Sequence, residues 1–551
     1  MNIVIYNIFY WTLYIFGKSI NKFIFKSNNF FGIPVSILYP IYSLLFIGNL
    51  SFILNFFLEG RYIRYICYFL IGLSLVYFLI NKYNFDNQFT VTTIFNSFIA
   101  ISSYGTFLHY DAGGYHFLNQ LWILNEKTVF GLSNIIFPLG NQSLFEYTSF
   151  NFWIGSNFVY HHFLNLIFFT VFFNFLFNSY SKSNSKFLKF SSLVILAFGF
   201  FDNFGFKGGG NGFPNIQAAG KPDIAVAILL IIINLIMINF IFENKPNSNN
   251  YKIIIFLSLF LIQLKPTSFH IILFVLFITW KYRRDFLSFN FLKFNLSIIS
   301  ISILWLLKNV LTTSCMLFPV SFTCFSNLNW YSETMVKAAN NHYASTYWPY
   351  KIGENLVEWF NVWKSINYNE QIIYNFAVSF ILIFFVTRIF GTKVDRSKND
   401  LLFVRIYFLI SIIAFFVSVP LFRYFYGIFT PLVLLFTLNR EFNTKLDKNK
   451  IISYLSVAFI FLSPLLIVRG YSFNQLVESP LVLTNLEAPN IRYEKNNNWG
   501  YSPIRDEFST KDTWGTNDAF GKCWLKIDCN PENRELYIKE IFGYKMITEK
   551  K

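Results

Sequence analysis

Apolar runs that approach the length of a membrane span recur from the N-terminus to about residue 469, and they constrain the fold more than anything else in the chain. A helix needs about 20 apolar residues to cross the ~30 Å hydrocarbon core. No water is present there to satisfy an open backbone, so helix is the conformation such runs adopt. Fourteen segments can be drawn, at about 3–17, 36–57, 65–81, 91–108, 152–178, 187–201, 223–242, 252–264, 268–280, 294–310, 371–388, 402–419, 424–439 and 451–468. Only 13% of the 551 residues are charged, against roughly a quarter in a soluble domain. The chain therefore reads as an all-α polytopic membrane protein of about 14 transmembrane helices. Residues 1–469 make the membrane domain, with outer loops at 109–151, 202–222 and 311–370, and 470–551 make a small extracytoplasmic C-terminal region. The opening MNIVIYNIFYWTLYIF lacks a basic n-region and a small-residue cleavage site, so it reads as a retained first span.

Charge sets the orientation. The net charge of +16 is carried largely by alternate loops, with clusters at 18–26, 182–189, 281–293, 388–405 and 440–450. The intervening loops hold half as many Lys and Arg, spread over far more residues, so the basic set is expected on the cytoplasmic side. Both termini, the 109–151 loop, the 311–370 loop and the tail then lie outside. Lysines used in this way exclude nucleic acid as a partner, although a soluble chain of this charge would suggest it. The 74 Phe accompany abundant Ile, Asn, Tyr and Lys, a bias that AT-rich codons explain, and no stacking platform is read from them. Residues 252–280 hold two halves of about 13 residues, each about 20 Å of helix. Basic clusters on both flanks favour a short hairpin, with its tip 264-LKPTSF-269 entering from outside, over one kinked span. Of the five cysteines, Cys67 lies in an apolar run, Cys315 and Cys324 share an outside loop, and Cys523 and Cys529 share the tail. All four outside cysteines fall where disulfides persist, and local pairing is expected among the three connectivities they allow.

The residues able to carry chemistry gather in the first long polar island, 109-HYDAGGYHFLNQLWILNEKTVFGLSNIIFPLGNQSLFEY-147. Asp111 lies just past the outer end of the fourth apolar run, where a carboxylate can act as general base toward an acceptor hydroxyl. The competing reading is a helix cap, since Asp followed by AGG is good turn chemistry. Tyr115 and His116 can converge on the same mouth if a helix starts near Gly114. A divalent metal is compatible with the loop, but no ligand spacing indicates one. The second loop, 202-DNFGFKGGGNGFPNIQAAGKPD-223, offers Lys221 and Asp223; no GK[ST] follows its glycines, so it is not a P-loop. Asp223 also reads as the N-terminal cap of the seventh run. Lys265, Lys308 and Arg423 stand at the outer ends of runs, where cations are costly and a lipid phosphate would need them. The alternative for each is a snorkelling side chain. His161, His162 and His270 lie in apolar segments and read as interhelix hydrogen-bonding groups. No Ser/His/Asp arrangement, cysteine nucleophile or HExxH motif is present.

The ordered set of motifs resembles a known family. The set runs YDAGGYHFLNQLWILNEKTVFGLSNI, KPD before a run, LKPTS, WLLKNVLTTSCMLFPVSFTCF, PLFRYFYG and a tail WGYSPIRD…GKCWLKIDC. It resembles the LIC-type family of bacterial polytopic membrane proteins, whose members show a D-x-G-x-Y-H loop, a KP[ST] turn and a C-terminal CW…C. That family in turn is similar to a distant branch of the GT-C glycosyltransferases. The resemblance implies a GT-C-like fold in the bacterial inner membrane. It further implies transfer of a sugar from a polyprenyl-phosphate-linked donor to an extracytoplasmic glycan or lipid acceptor. Asp111 matches the catalytic acid of the first large outer loop, with His116 beside it. Where GT-C enzymes often carry paired acids, this chain has one acid followed by Ala112. The implied substrate-binding residues are Tyr115, Lys221, Asp223, Lys265, Lys308 and Arg423. Two other readings stand beside this one: a polymerase or ligase of surface polysaccharide, and a non-enzymatic transporter.

Overall fold

The structure is a computed structural model that describes residues 1–82, 85, 88–109, 111–198, 218–220, 222–242, 248–284, 289–347, 356–365, 369–417, 430–442, 471–488, 493–494, 504–505, 515–516, 525, 527 and 536–549. It is mostly helical. The helices are α1 (Asn2–Phe23), α2 (Tyr39–Leu54), α3 (Gly60–Ile80), α4 (Phe89–Ala100), α5 (Phe117–Asn125), α6 (Leu144–Ser149), α7 (Val159–Ser181), α8 (Lys186–Phe198) and α9 (Asp223–Phe242). They continue with α10 (Ser248–Leu264), α11 (Ile271–Lys281), α12 (Phe289–Thr313), α13 (Glu333–Tyr347), α14 (Leu356–Ser365), α15 (Asn369–Phe390), α16 (Lys398–Val417) and α17 (Tyr471–Glu478). Among the described residues, seven helical segments are long and apolar enough to cross a membrane: α1, Val35–Leu54 ending α2, α3, α7, α9, Lys293–Thr313 of α12 and Lys398–Phe416 of α16. Three shorter apolar helices, Asn249–Leu264, Pro266–Lys281 and Phe376–Phe390, pack with them. Helix α9 is buried along its whole apolar stretch and α7 along 89% of it, so these two form the centre of the bundle. Helices α3 and α12 are buried along only 22% and 17%, and present apolar side chains outward, as a lipid-facing rim would.

The run at 152–178 is α-helical only from Val159, and the expected boundaries shift in two further places, one of them for a clear local reason. The run at 91–108 is helical only to Ala100. Ser102 donates to the Ile99 carbonyl at 2.8 Å and Ser103 to the Ala100 carbonyl at 2.5 Å. Such serine back-bonds compete with the helical ladder, and Ile101–Gly105 tightens into a 3-10 turn. The described part of the run at 424–439 is a 3-10 turn at Thr430–Phe436, and 451–468 lies outside the described residues. Residues 248–281 form a hairpin. The Tyr251 hydroxyl at the start of α10 bonds Thr279 at the end of α11 at 2.6 Å, so the two helices run antiparallel.

Strands are few and short. The pairs are β1 (Asn29–Phe30) with β2 (Ile33–Pro34), β3 (Phe107–Leu108) with β4 (Ala218–Ala219), β5 (Gly391–Lys393) with β6 (Arg440–Phe442), and β7 (Tyr493–Glu494) with β9 (Gly515–Thr516). A three-stranded sheet joins β8 (Ile504–Arg505), β10 (Leu536–Ile541) and β11 (Tyr544–Glu549). The β10–β11 turn is Phe542-Gly543, both at positive φ, the twist a two-residue hairpin needs.

The contacts sort the loops onto two faces. On one, strand β11 docks on the loop after α5. The Ile547 amide donates to Phe130 O at 2.8 Å, Lys545 pairs with Glu126 at 2.6 Å, and Asn134 donates to Ile547 O and to Trp330 O. The Gly131 amide donates to Leu311 O, which ties the start of the 311–347 segment to the same face. The N-terminus joins them, since Asn2 bonds Ser103 and Thr484. On the opposite face, Lys281 pairs with Asp400 at 2.6 Å and Arg396 with Glu441 at 3.1 Å, among the basic loops. The chain-order alternation of basic and less basic loops thus corresponds to two physical ends of the bundle.

Candidate functional site

The site is organised around α6, six residues that are all buried. Ser143 caps it, accepting from the Phe145 amide at 3.2 Å, while its hydroxyl donates to the Leu264 carbonyl at the tip of the α10–α11 hairpin at 2.7 Å. Thr148, one turn on, lies against Gly48 of α2, where an added Cβ would sit 2.5 Å from its hydroxyl. Helix α6 is therefore held on both sides by close backbone contact. It projects Glu146 toward α5 and Tyr147 toward α12.

Glu146 is 2% exposed, and a buried carboxylate needs partners for both oxygens. One oxygen contacts Nδ1 of His116, and the other accepts from Nε2 of Gln120 at 2.7 Å. The Gln120 amide oxygen accepts in turn from the indole N–H of Trp153 and from Nε2 of His161, the latter at 3.0 Å. Five side chains from four segments thus share one buried polar network. With Nδ1 of His116 donating to the carboxylate, Nε2 is the acceptor, and among the described residues it has no hydrogen-bond partner. A carboxylate-backed imidazole with an open Nε2 can accept and return a proton.

Asp111 stands five residues before His116, at the start of the turn that carries it. Residues Ala112–His116 wind as a π-turn, with the Phe117 amide donating to Ala112 O. Turns of this kind recur at functional sites, and the wider winding brings positions five apart closer to one face than an α-turn does. Asp111 occupies the N-cap position, yet its side chain makes no capping hydrogen bond. Its carboxylate lies 3.3 Å from Nδ1 of His109, a nitrogen that also lies 3.1 Å from the Asp111 amide. The carboxyl is 11% exposed, so it reaches solvent. Tyr115 stacks obliquely on His116, with ring centroids 4.2 Å apart.

Residues 202–217 of the second loop lie outside the described residues, and its described end, 218–220, meets this one directly. Strands β3 and β4 pair in parallel, Phe107 opposite Ala218 and Leu108 opposite Ala219, and the His109 amide extends the ladder to Ala219 O at 3.0 Å. Gly220, at φ +90, then packs on Ala112; an added Cβ there would lie 2.6 Å from that of Ala112. Three residues on, Asp223 begins α9 and pairs with Lys265 at 2.8 Å. The structure therefore brings Asp111, Tyr115, His116, Asp223 and Lys265 into one region where three loops far apart in sequence converge.

Lys308 does not join that group. It is fully buried, donates to Phe52 O at 3.0 Å and Asn55 Oδ1 at 2.9 Å, and lies 4.5–4.8 Å from the centroids of Phe52, Phe56 and Tyr147. Ring quadrupoles and carbonyls take the place of an anion there. Lys308 thus packs against the Tyr147 side of α6 and does not join Asp111 and His116. Lys221 and Arg423 lie outside the described residues, as do Cys523 and Cys529. Cys315 and Cys324 form a disulfide, and Cys67 is a buried free thiol. His162 bonds Ser102 at 2.9 Å and Thr106 at 3.2 Å, an interhelix role, as His161 has with Gln120. Among the described residues no three His, Cys, Asp or Glu side chains gather as metal ligands.

Sequence reasoning did not single out Glu146, Gln120 or Trp153 as site residues. The available signal was Glu146 itself, the one acid in the stretch LFEYTSFNFW. No curated protein and no solved structure matches the chain. A family profile does, over residues 1–430, more than three quarters of the chain. The chain belongs to the family described as Domain of unknown function (DUF8201).

Proposed function

We propose that this protein is a GT-C-like glycosyltransferase of about fourteen spans. In this reading it moves a sugar from a polyprenyl-phosphate donor to an acceptor on the extracytoplasmic face of a bacterial inner membrane. The observation that carries the reading is Asp111. It sits at a helix start without capping it, reaches solvent, and heads the π-turn that leads to His116 on Glu146. Asp111 takes the proton of the acceptor hydroxyl, whose oxygen attacks the anomeric carbon. The bond to the lipid phosphate breaks, and the phosphate leaves with the electron pair. His116, backed by Glu146, holds the proton inventory of the mouth. Lys265 faces the developing phosphate charge, a contribution that grows in the transition state. It already pairs with Asp223, so the donor phosphate competes with that carboxylate for it. A lipid-phosphate sugar brings its own leaving group, so no nucleotide-binding domain is required.

The experiment is transfer from a defined polyprenyl-phosphate sugar by the purified chain in proteoliposomes, with product length resolved. Addition of one sugar supports the reading. Extension of a lipid-linked glycan identifies a polymerase or ligase, and solute flux without any transfer identifies a transporter.

A further inference from the structure

A second feature shares Trp153 with the buried network. A cleft of about 640 Å³ opens between the first turns of α3, the end of α5 and the segment after α6. Its walls include Arg61, Arg64, Tyr65, Tyr68, Asn125 and Trp153. Arg64 donates one guanidinium N–H to the Trp153 carbonyl at 2.9 Å, and among the described residues it has no carboxylate partner. Arg61 is offset by Glu59, so the cleft keeps a net positive charge. An Arg offers five N–H donors in a planar fork, and an intermediate-exposed guanidinium beside apolar surface draws an anion to complete them.

The position of the cleft says which anion. Helix α3 has 21 residues, about 31 Å of helix, which matches the ~30 Å hydrocarbon core. Arg61 and Arg64 therefore stand at the boundary where headgroups lie. Below them Tyr65, Phe69, Leu73, Val76 and Ile80 recur at steps of four and three, and each is at least 49% exposed. One stripe of outward apolar side chains thus leads down from a cationic cleft.

We propose that this cleft binds the anionic phosphate headgroup of a bilayer phospholipid, with its acyl chain lying along the α3 stripe. Arg64 holds the phosphate through its remaining N–H groups, and the Tyr and Trp rings wall the headgroup. The proposal requires that α3 lie in a bilayer. It does not require that the protein transfer sugar, so the two readings fail independently. Occupancy would bear on the site, because the Trp153 carbonyl holds Arg64 while its indole holds Gln120.

The test uses the full-length protein in nanodiscs of phosphatidylcholine doped with phosphatidylglycerol. Lipid retained after extraction into detergent is counted by native mass spectrometry. The wild type is expected to retain phosphatidylglycerol over phosphatidylcholine, and Arg64→Gln to lose about tenfold of that preference, the scale of one charge-assisted contact. Arg64→Lys keeps the charge and the bond to Trp153 within reach, and is expected to lose an intermediate amount; this keeps the test informative if Arg64→Gln folds poorly. Arg283→Gln/Arg284→Gln, on the opposite face, is expected to retain phosphatidylglycerol as the wild type does. Equal retention of the two lipids by the wild type, or undiminished preference in Arg64→Gln, would overturn the proposal. Displacement of the lipid by free glycerol phosphate at equal concentration would overturn it too, since the site would then be one for soluble phosphate.

Discussion

Gln120 is the residue whose loss the buried network can least accommodate, and Gln120→Leu measures that. Leucine fills nearly the same volume, so little cavity term enters. Three groups lose a partner: the second oxygen of Glu146, the indole N–H of Trp153 and Nε2 of His161. Gln120 is 0% exposed, so water does not replace it without rearrangement. Each buried polar group left unsatisfied costs about 1–3 kcal/mol, which gives about 3–9 kcal/mol in total. That compares with about 5–15 kcal/mol for the whole stability of a typical domain. The assay is unfolding in mixed micelles titrated with SDS and followed by far-UV circular dichroism. The expected result is a large shift of the midpoint toward lower SDS, or a chain that does not reach a folded state. A midpoint within about 0.5 kcal/mol of wild type, the scale of a neutral surface change, would refute the network as drawn.

Other expectations follow from the same contacts. Lys265→Met removes one partner of the buried Asp223 and should cost about 1–3 kcal/mol, below the full buried-pair figure because Lys265 keeps some exposure and Asp223 has further contacts. The double variant Asp223→Asn/Lys265→Met should recover more than half of that, and unchanged stability in Lys265→Met would show the pair to be immaterial. Gly220→Ala should cost about 1–3 kcal/mol, because alanine meets both a positive φ and the Ala112 side chain. Hydrogen exchange at the His109 amide, which bonds Ala219, should speed up in that variant, and an unaltered rate would count against the β3–β4 ladder.

The large features of this fold were legible because they depend on composition over many residues. Most described positions of the apolar runs are α-helical, the main exceptions being 101–108, 152–158 and 430–439. The alternation of basic loops became two opposed faces, since Lys281, Arg396 and Arg440 meet Asp400, Glu441 and backbone carbonyls on one of them. The 252–280 hairpin was legible from its flanking charge, and its tip meets Asp223 through Lys265 and Ser143 through the Leu264 carbonyl. What periodicity could not show was pairing at a distance. His116 and Glu146 are 30 residues apart, and Lys308 lies 253 from Asn55. Strands β3 and β4 are two residues each, too short to leave a pattern. Lys308 illustrates the ambiguity best. From sequence, a lysine at the end of an apolar run reads as a phosphate ligand, and only the three surrounding rings reveal a cation already satisfied.

We propose Asp111 as the base for sugar transfer, and a single substitution probes that role. Wild type and Asp111→Asn are assayed for turnover of a defined polyprenyl-phosphate sugar in proteoliposomes, with donor binding measured alongside. Asparagine is close in shape but cannot take a proton, and loss of a positioned base typically costs 10²–10⁴ in rate, so a fall of about a hundredfold or more is expected with donor binding retained. Turnover that survives the substitution at near wild-type rate would rule out Asp111 as the base.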